Sequence, residues 1–179
     1  MTDPIAAITP TGVRTADGVE HEVDVIVYST GFKTSEFLAP MSIVGRDGAR
    51  LADEWRDGAH AYLGMAVPSF PNMFVMYGPN TNLGVGSIVY MLESQAEHVL
   101  RLLELAEGSG SGTIQVRAEV ERAYADRMDR ELAHTVWNQG GCSSWYIDSR
   151  GRNSLQWPTF TFRYREQVRA VDPEDFVLT

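Results

Sequence analysis

The stretch Phe70-Pro71-Asn72-Met73-Phe74-Val75-Met76-Tyr77-Gly78-Pro79-Asn80-Thr81-Asn82-Leu83-Gly84-Val85-Gly86-Ser87 leads directly into a long segment with a helical apolar period. Its first part, Met73 to Tyr77, is a short apolar run typical of a buried strand, and the two glycine-rich pieces that follow are turn signals. Ser87 stands where a helix N-cap belongs. The stretch therefore predicts a strand, a turn and the start of a helix.

The helix after Ser87 is predicted to bury one face, because apolar residues recur there at three- and four-residue steps: Ile88, Met91, Leu92, Ala96, Val99, Leu102, Leu103 and Ala106. The N-terminus of such a helix collects unpaired N–H groups and the positive end of the helix dipole, which favour a negative charge or a carbonyl oxygen that acquires one. The alternative is that Gly, Pro and Asn only make a tight connection between two core elements.

Composition narrows the class of protein. The chain has 179 residues, of which 44% are hydrophobic, and this predicts one ordinary domain with a real core. The net charge of -9, with Lys33 as the single lysine, argues against nucleic acid and anionic membranes as partners. No apolar run approaches the roughly 20 residues of a membrane span, and no signal peptide is recognisable, so we expect a cytoplasmic protein. One cysteine and four histidines without ligand spacing predict no metal site.

The first 32 residues predict hairpins that lead into a central strand. Thr11-Gly12 indicates a turn, Val13 to Thr15 a strand that pairs back, and Ala16-Asp17-Gly18 a tight hairpin. The apolar run Val23 to Tyr28 predicts the central strand. It ends in Ser29-Thr30-Gly31-Phe32, where Gly31 permits a positive φ angle or a close backbone approach.

Residues 33–72 predict an irregular connection with short strands. A hairpin is indicated around Gly45-Arg46-Asp47-Gly48, and Trp55 and Tyr62 are expected to help cover the core. Residues 108–112 read as a flexible surface loop.

Residues 113–179 predict a helix followed by an aromatic tail. Thr113 to Val116 is interpreted as a short strand, and Glu119 to Val136 as an amphipathic surface helix. Phe160-Thr161-Phe162 has the alternation of a strand, with Pro158 as a counter-signal. The predicted fold class is mixed α/β: a small β-sheet with hairpins, covered by one long helix and a second amphipathic helix.

No catalytic residue is predicted from local motifs. Ser143 and Ser144 do not lie in a Gly-x-Ser-x-Gly elbow, and Cys142 is interpreted as an inert small residue. Neither Gly84-Val85-Gly86 nor Gly108-Ser109-Gly110 has a third glycine three residues on. The sequence therefore contains neither a dinucleotide fingerprint nor a phosphate-binding P-loop.

Three segments of the chain resemble a known family. Asp24-Val25-Ile26-Val27-Tyr28-Ser29-Thr30-Gly31-Phe32 resembles the D-x-[IV]-[IV]-x-A-T-G-[FY] segment of class B flavoprotein monooxygenases, the group of Baeyer–Villiger and flavin-containing monooxygenases, with Ser29 in place of the usual Ala. The stretch from Leu63-Gly64 to Ser87-Ile88 is similar to the part of those enzymes that closes over the flavin. Ser144-Trp145-Tyr146 is similar to a late Ser-Trp pair of the Baeyer–Villiger branch. The resemblance covers nearly the whole chain in the correct order.

The resemblance implies a fold, an activity and a set of binding residues. Residues 1–179 would form a single incomplete domain, the C-terminal part of a Rossmann-like FAD-binding domain, with residues 73–106 as its flavin edge. FAD reduced by NADPH would react with O2 to a flavin peroxide that inserts oxygen into a ketone or heteroatom substrate. The implied cofactor-binding residues are Gly31, Gly78, Asn80, Thr81, Asn82, Leu83, Ser87 and Trp145.

Two placements follow for these residues. We expect Asn80, Thr81 and Leu83 to lie on one exposed concave rim at the start of the Ser87 helix. Trp145 is expected near the nicotinamide cofactor or the substrate, with an aromatic ring packed in a core as the alternative.

The features missing from the family pattern also carry implications. Both G-x-G-x-x-G fingerprints, the F-x-G-x-x-x-H-x-x-x-W-P signature and the Arg near the flavin are absent from the sequence. We therefore expect the C-terminal portion of a monooxygenase that is inactive alone, binds neither FAD nor NADPH by itself, and has the missing N-terminal portion or a second copy as partner. Self-association is expected because the strands Val23 to Tyr28 and Met73 to Tyr77 would have unpaired edges. The alternative is a non-catalytic remnant or protein-interaction module. No residue identifies the substrate.

Overall fold

The computed structural model describes residues 3–31, 33–34, 36–141, 144–148 and 150–179. These residues form two compact units, Met1–Lys33 and Thr34–Thr179. Small sheets and helices occur together, so the fold is mixed α/β. Phe32, Cys142 and Ser143, which entered the sequence interpretation, lie outside the described residues.

The first unit is a three-stranded antiparallel meander of β1 (Ile5–Thr9), β2 (Gly12–Thr15) and β3 (Glu20–Glu22). Asp17 shapes the second turn, since its carboxylate accepts hydrogen bonds from the Thr15 hydroxyl at 2.5 Å and from the Val19 N–H at 3.1 Å. Gly18 follows with a φ of 86°, which suits glycine. Both predicted turns are confirmed.

The predicted central strand at Val23 to Tyr28 is wrong. Residues 23–31 belong to no helix or strand, and the side chains of Val25 and Val27 are 74% and 79% exposed. A strand requires a neighbour for its N–H and C=O groups, and the meander of this unit ends at Glu22. Gly31 has a φ of 74°, as the prediction of a positive angle required.

The second unit begins with short pieces of structure. A 3-10 turn at Arg46–Gly48 joins Val44 to Arg50 in an antiparallel bridge, which confirms the hairpin in a minimal form. Helix α1 spans Leu51–Glu54. Trp55 and Tyr62 are half-buried against the hydrophobic core, as predicted.

The predicted strand at Met73 to Tyr77 is also wrong. Phe74 pairs with Ala66 in one isolated bridge, and the Val75 N–H donates to the carbonyl of Met65 at 2.9 Å. Tyr77 then has a φ of 57°, which bends the chain out of the extended conformation. The apolar run therefore has one bridge and one further backbone hydrogen bond to residues 65 and 66, which are too few partners for a strand.

Four helices and a two-stranded sheet complete the unit. They are α2 (Ile88–Gly108), β4 (Ile114–Val116), α3 (Ala118–Leu132), α4 (Val136–Gln139), α5 (Thr161–Val168), a 3-10 turn (Pro173–Asp175) and β5 (Phe176–Leu178), which pairs antiparallel with β4. The predicted helix after Ser87 and the strand at 113–116 are confirmed. The helix predicted over Glu119 to Val136 is present but ends at Leu132, and Val136 begins the separate helix α4. The strand interpretation of Phe160 to Phe162 is wrong, because Tyr164 and Val168, four residues apart, enter the core on one face of α5.

The apolar face predicted for α2 is divided between core and solvent. Met91, Leu102 and Ala106 are buried, whereas Ala96 and Leu103 are exposed. Buried polar residues replace them, including His98, whose Nδ1 lies 2.8 Å from the carbonyl oxygen of Val168 on α5. The helix turns this side to the core because that hydrogen bond joins it to α5.

The core of the second unit consists of three clusters. The central cluster joins α2, α3 and α5, and contains Leu63, Met65, Met91, Tyr124, Met128, Trp157, Tyr164 and Val168. A second cluster packs α2 against the β4–β5 sheet, and a third surrounds Leu51 of α1. In the part of the chain that the structure describes, no helix has the length and apolar composition needed to cross a membrane.

Candidate functional site

The turn at residues 78–82 is packed inside the second unit. Asn80 and Thr81 are 3% and 0% exposed. The Asn80 side-chain amide donates to the carbonyl oxygens of Asn153 at 2.9 Å and Gln156 at 3.2 Å, and the Thr81 hydroxyl donates to the carbonyl of Gly78 at 2.7 Å. Gly78 allows this packing, since a β-carbon there would overlap the carbonyl oxygen of Gly64.

A C-terminal segment, residues 153–157, lies parallel to this turn. The N–H groups of Asn80 and Asn82 donate to the carbonyls of Ser154 and Leu155 at 2.8 and 2.9 Å, and the Trp157 N–H returns a bond of 2.8 Å to the carbonyl of Asn82. The prediction that Asn80, Thr81 and Leu83 share an exposed rim is therefore wrong for Asn80 and Thr81. Their polar groups are used within the chain, and only Leu83 is half-exposed.

The chain emerges to the surface at the next four residues, Leu83 to Gly86, which we call the glycine turn. Val85 is 92% exposed, and Gly86 has a φ of 123°, which side-chain-bearing residues rarely adopt. The N–H groups of residues 83–86 donate to no other residue within the described ranges. Ser87 caps α2 as predicted, since its hydroxyl accepts from the Tyr90 N–H at 3.3 Å.

The glycine turn forms one wall of a surface groove with a volume of about 1360 Å3. The groove is bordered by residues of α3, α4 and α5 and is largely apolar, with Leu83, Gly84, Val85, Gly86, Trp137, Trp157, Pro158 and Phe160 in its lining. Arg127, Glu131, Arg163 and Glu166 supply charges of both signs at its border. Apolar walls with a few polar groups are typical of small-molecule sites.

Trp137 was not singled out from the sequence, although it contacts the site directly. It lies on α4, and its six-membered ring rests on Gly84, where a β-carbon would overlap it. The neighbouring Asn138 accepts a hydrogen bond of 3.1 Å from the side-chain amide of Asn153. Gly84 carried a sequence signal for a close approach, but nothing in the sequence indicated which aromatic residue makes it.

Trp145 does not line the groove. Trp145 is 59% exposed, and its ring lies 4.2 Å from the Tyr146 ring at an angle of 34° between the ring planes. The Trp145 carbonyl accepts a hydrogen bond from the Thr34 hydroxyl at 2.8 Å. Gly31 belongs to the first unit. The structure therefore places Leu83 in the wall of the groove, Ser87 directly after the glycine turn, and Gly78, Asn80, Thr81 and Asn82 in the turn that precedes it. Trp145 is exposed.

The pKa values of Tyr77 and His60 in this unit are both raised. Burial raises the pKa of the Tyr77 hydroxyl, which donates a hydrogen bond to the Asn82 side chain. The hydrogen bond of His60 Nδ1 to the Glu121 carboxylate, 2.7 Å long, raises the pKa of the His60 imidazole. Among the residues that the structure describes, no group of three or more His, Cys, Asp and Glu side chains is arranged to hold a metal ion.

No protein-family model matches the chain. A Baeyer–Villiger monooxygenase of Pseudomonas aeruginosa is 41% identical over 180 residues, which cover 100% of this chain and 34% of that protein. The FAD-binding monooxygenase ktnD of Aspergillus niger is 41% identical over 181 residues, which cover 99% of this chain and 30% of that protein.

Solved structures agree with these relatives. The closed crystal structure of cyclohexanone monooxygenase matches 99% of this chain and 34% of its own with a TM-score of 0.77 and 29% identity. A crystal structure of OTEMO in complex with FAD and NADP matches 99% of this chain and 33% of its own with a TM-score of 0.80 and 28% identity. The chain is homologous to the C-terminal part of Baeyer–Villiger monooxygenases. It spans about a third of the length of the relatives it matches.

The residues at the groove fit one edge of a flavin ring. The N–H groups of the glycine turn have no partner among the residues that the structure describes, and the 21-residue helix α2 places its positive dipole end there. The groove walls are largely apolar. The monooxygenase pattern assigns the pyrophosphate of FAD to a G-x-G-x-x-G fingerprint, which this sequence lacks. The site therefore fits part of the cofactor.

Proposed function

We propose that this chain forms the flavin-edge part of an FAD- and NADPH-dependent monooxygenase that inserts oxygen into a ketone or heteroatom substrate. In this proposal it works together with the portion of the enzyme that the chain does not span. The observation that carries the proposal is the exposed glycine turn at the N-terminus of α2, in a chain that is 41% identical over its whole length to a Baeyer–Villiger monooxygenase.

The residues of the glycine turn would hold the N1–C2 edge of the flavin. Bound FAD would supply the electron transfer and oxygen activation, with negative charge gathering on that edge after reduction. The N–H groups of Leu83 to Gly86 are available to donate to it, and the dipole of α2 would add about 0.3–1 kcal/mol of stabilisation. Apolar residues around the groove, Trp137 and Phe160 among them, would keep water from this edge.

The buried turn at residues 78–82 supports that surface in our proposal. Asn80 and Asn82 are held by residues 153–157, so they fix where the glycine turn begins. Their contribution to cofactor binding would be to position the donors, and the contact itself would come from the backbone after Leu83. Trp145, which is exposed and in ring contact with Tyr146, would face the nicotinamide or the substrate.

The test compares the chain alone with a fusion that completes the enzyme. The chain alone is expected to be colourless after purification and to oxidise no NADPH with any ketone. The same chain, fused behind the part of the P. aeruginosa relative that it does not cover, is expected to bind FAD and to oxidise NADPH in a ketone-dependent manner. A variant with Gly86→Val in the glycine turn provides a site-directed comparison, because valine disfavours the φ of 123°.

Two outcomes would contradict the proposal. Stoichiometric FAD in the purified chain would show that the groove holds the whole cofactor without help. A fusion that folds cooperatively and yet binds no FAD would support the alternative of a non-catalytic module.

A further inference from the structure

We propose that Trp137 is a positioning residue that holds the glycine turn in the conformation required for cofactor binding. The inference rests on the proposed function for the identity of the cofactor, but the contact itself belongs to this chain. Trp137 is half-buried, and its six-membered ring occupies the space in which a side chain at residue 84 would otherwise lie.

The glycine turn has few other supports. Residues 83–86 donate no backbone hydrogen bond to any described residue, and Gly84, Val85 and Gly86 are exposed. A turn with two glycines and no internal hydrogen bonds samples many conformations unless packing restricts it. The indole of Trp137 supplies that restriction from one side, and Thr161 lies near Gly86 on the other.

Trp137 lies on helix α4, which hydrogen bonds hold in place on both sides of this residue. Helix α4 begins after Thr135, whose hydroxyl donates to the carbonyl of Leu132 at 2.7 Å at the end of α3. Asn138, which follows Trp137, accepts a hydrogen bond from the side-chain amide of Asn153. The carbonyl oxygen of Asn153 in turn accepts a hydrogen bond from the side-chain amide of Asn80. The same buried asparagine, Asn153, thus connects α4 with the turn that precedes the glycine turn.

These contacts connect the Trp137 indole to the start and to the middle of the glycine turn. The hydrogen bonds of Asn153 fix the start of the glycine turn, and the Trp137 ring packs against Gly84. Together these contacts hold the N–H groups of Leu83 to Gly86 in one orientation at the groove wall. Donors that are fixed before the cofactor binds stabilise developing charge better than donors that must be ordered on binding. Trp137 acts on the cofactor through the backbone of the turn.

The first experiment tests the contact in the purified chain without any cofactor. Backbone 15N order parameters of residues 83–87 are measured by NMR relaxation for wild type, Trp137→Ala, Gly84→Ala and the double variant. Val136→Ala is the control, because Val136 lies on the same short helix and is exposed. Trp137→Ala should lower the order parameters of the turn from about 0.85 to below about 0.6, whereas Val136→Ala should leave them unchanged.

The double variant makes the test specific. Gly84→Ala should lower the melting temperature when Trp137 is present, because the methyl group and the ring would overlap, and should have little effect once the ring is gone. Gly108→Ala, where an added β-carbon meets no neighbour, is the matched glycine control. If Trp137→Ala fails to fold, Trp137→Phe takes its place and should give intermediate order parameters. Equal effects of Gly84→Ala in both backgrounds, or unchanged order parameters in the turn, would overturn the inference.

The second experiment uses the FAD-loaded fusion. Trp137→Ala should shift the reduction potential of the bound flavin to a more negative value and alter its absorption spectrum, while Val136→Ala should change neither. An unshifted potential with a loosened turn would overturn the link to the cofactor. A fusion without FAD would refute the proposed function, and the relaxation experiment would still decide whether Trp137 positions the turn.

Discussion

Replacing Asn80 with alanine should destabilise the chain strongly in the absence of any cofactor. Asn80 is 3% exposed, and its side-chain amide donates to the carbonyl oxygens of Asn153 and Gln156. Its backbone has a φ of 58°, a left-handed conformation that asparagine tolerates better than alanine. The substitution therefore removes a donor from two buried acceptors and places a disfavoured residue in the turn.

The size of the effect follows from these contacts. A buried carbonyl that loses its donor costs about 1–3 kcal/mol, and the left-handed backbone adds about 1 kcal/mol for alanine. The two carbonyls share one amide group, so their losses are not independent, and we expect a total of roughly 3–5 kcal/mol. This is a large fraction of the stability of a typical domain, about 5–15 kcal/mol.

Urea-induced unfolding followed by circular dichroism measures this loss. Asn80→Gly removes the amide but accepts the backbone angle, so it should be about 1 kcal/mol more stable than Asn80→Ala. Gln139→Ala, an exposed site on α4, is the control and should stay within about 0.5 kcal/mol of wild type. An Asn80→Ala variant as stable as wild type would refute the reasoning, because the two hydrogen bonds would then contribute nothing net to the fold.

Three further outcomes are expected. The hydrogen bond to Glu121 raises the pKa of His60 above 6.5. Denaturation curves should therefore show the full stability difference between wild type and Glu121→Gln below pH 6.5, and a shrinking difference as the pH rises through the raised pKa. Burial lowers the pKa of His98, so its contribution should be full above pH 6.5 and be lost as the pH falls; His98→Gln should remove that part of the pH dependence. Tyr164→Phe leaves the buried carbonyl of Leu63 without its 2.7 Å donor and should cost about 1–3 kcal/mol in urea unfolding, with the far-UV spectrum unchanged.

Local signals account for the elements that were predicted correctly. The start of α2 follows from Ser87, because the cap hydrogen bond and the apolar period begin within a few residues of each other. The meander follows from the Asp17-Gly18 turn, whose geometry is set by the Asp17 side chain and the positive φ of Gly18. Each of these elements is decided by residues that are close in sequence.

The elements that were missed depend on distant partners. Strand β5 forms only because it pairs with β4 some sixty positions earlier, as the register of Val116 with Phe176 shows. The apolar run at Met73 to Tyr77 has a strand-like composition but finds a single bridging partner, Ala66. The apolar period also did not predict which side of α2 is buried, since His98 is buried in the core while the apolar Leu103 is exposed. The composition of a segment limits the secondary structures that it can form, and the residues that pack or pair with it determine which one forms.

The same distinction explains the candidate site. The polar side chains of Asn80 and Thr81 look like ligand-binding groups in the sequence, yet a buried turn needs such groups to satisfy carbonyl oxygens, and the structure uses them for that purpose. The groups left over for a ligand are backbone N–H groups, which every residue except proline carries. Glycine marks their position, because an exposed turn without β-carbons at Gly84 and Gly86 is open to close approach. At Gly84 that approach is made by Trp137, so the glycine that first indicated a ligand also records the packing that would hold the ligand's donors in place.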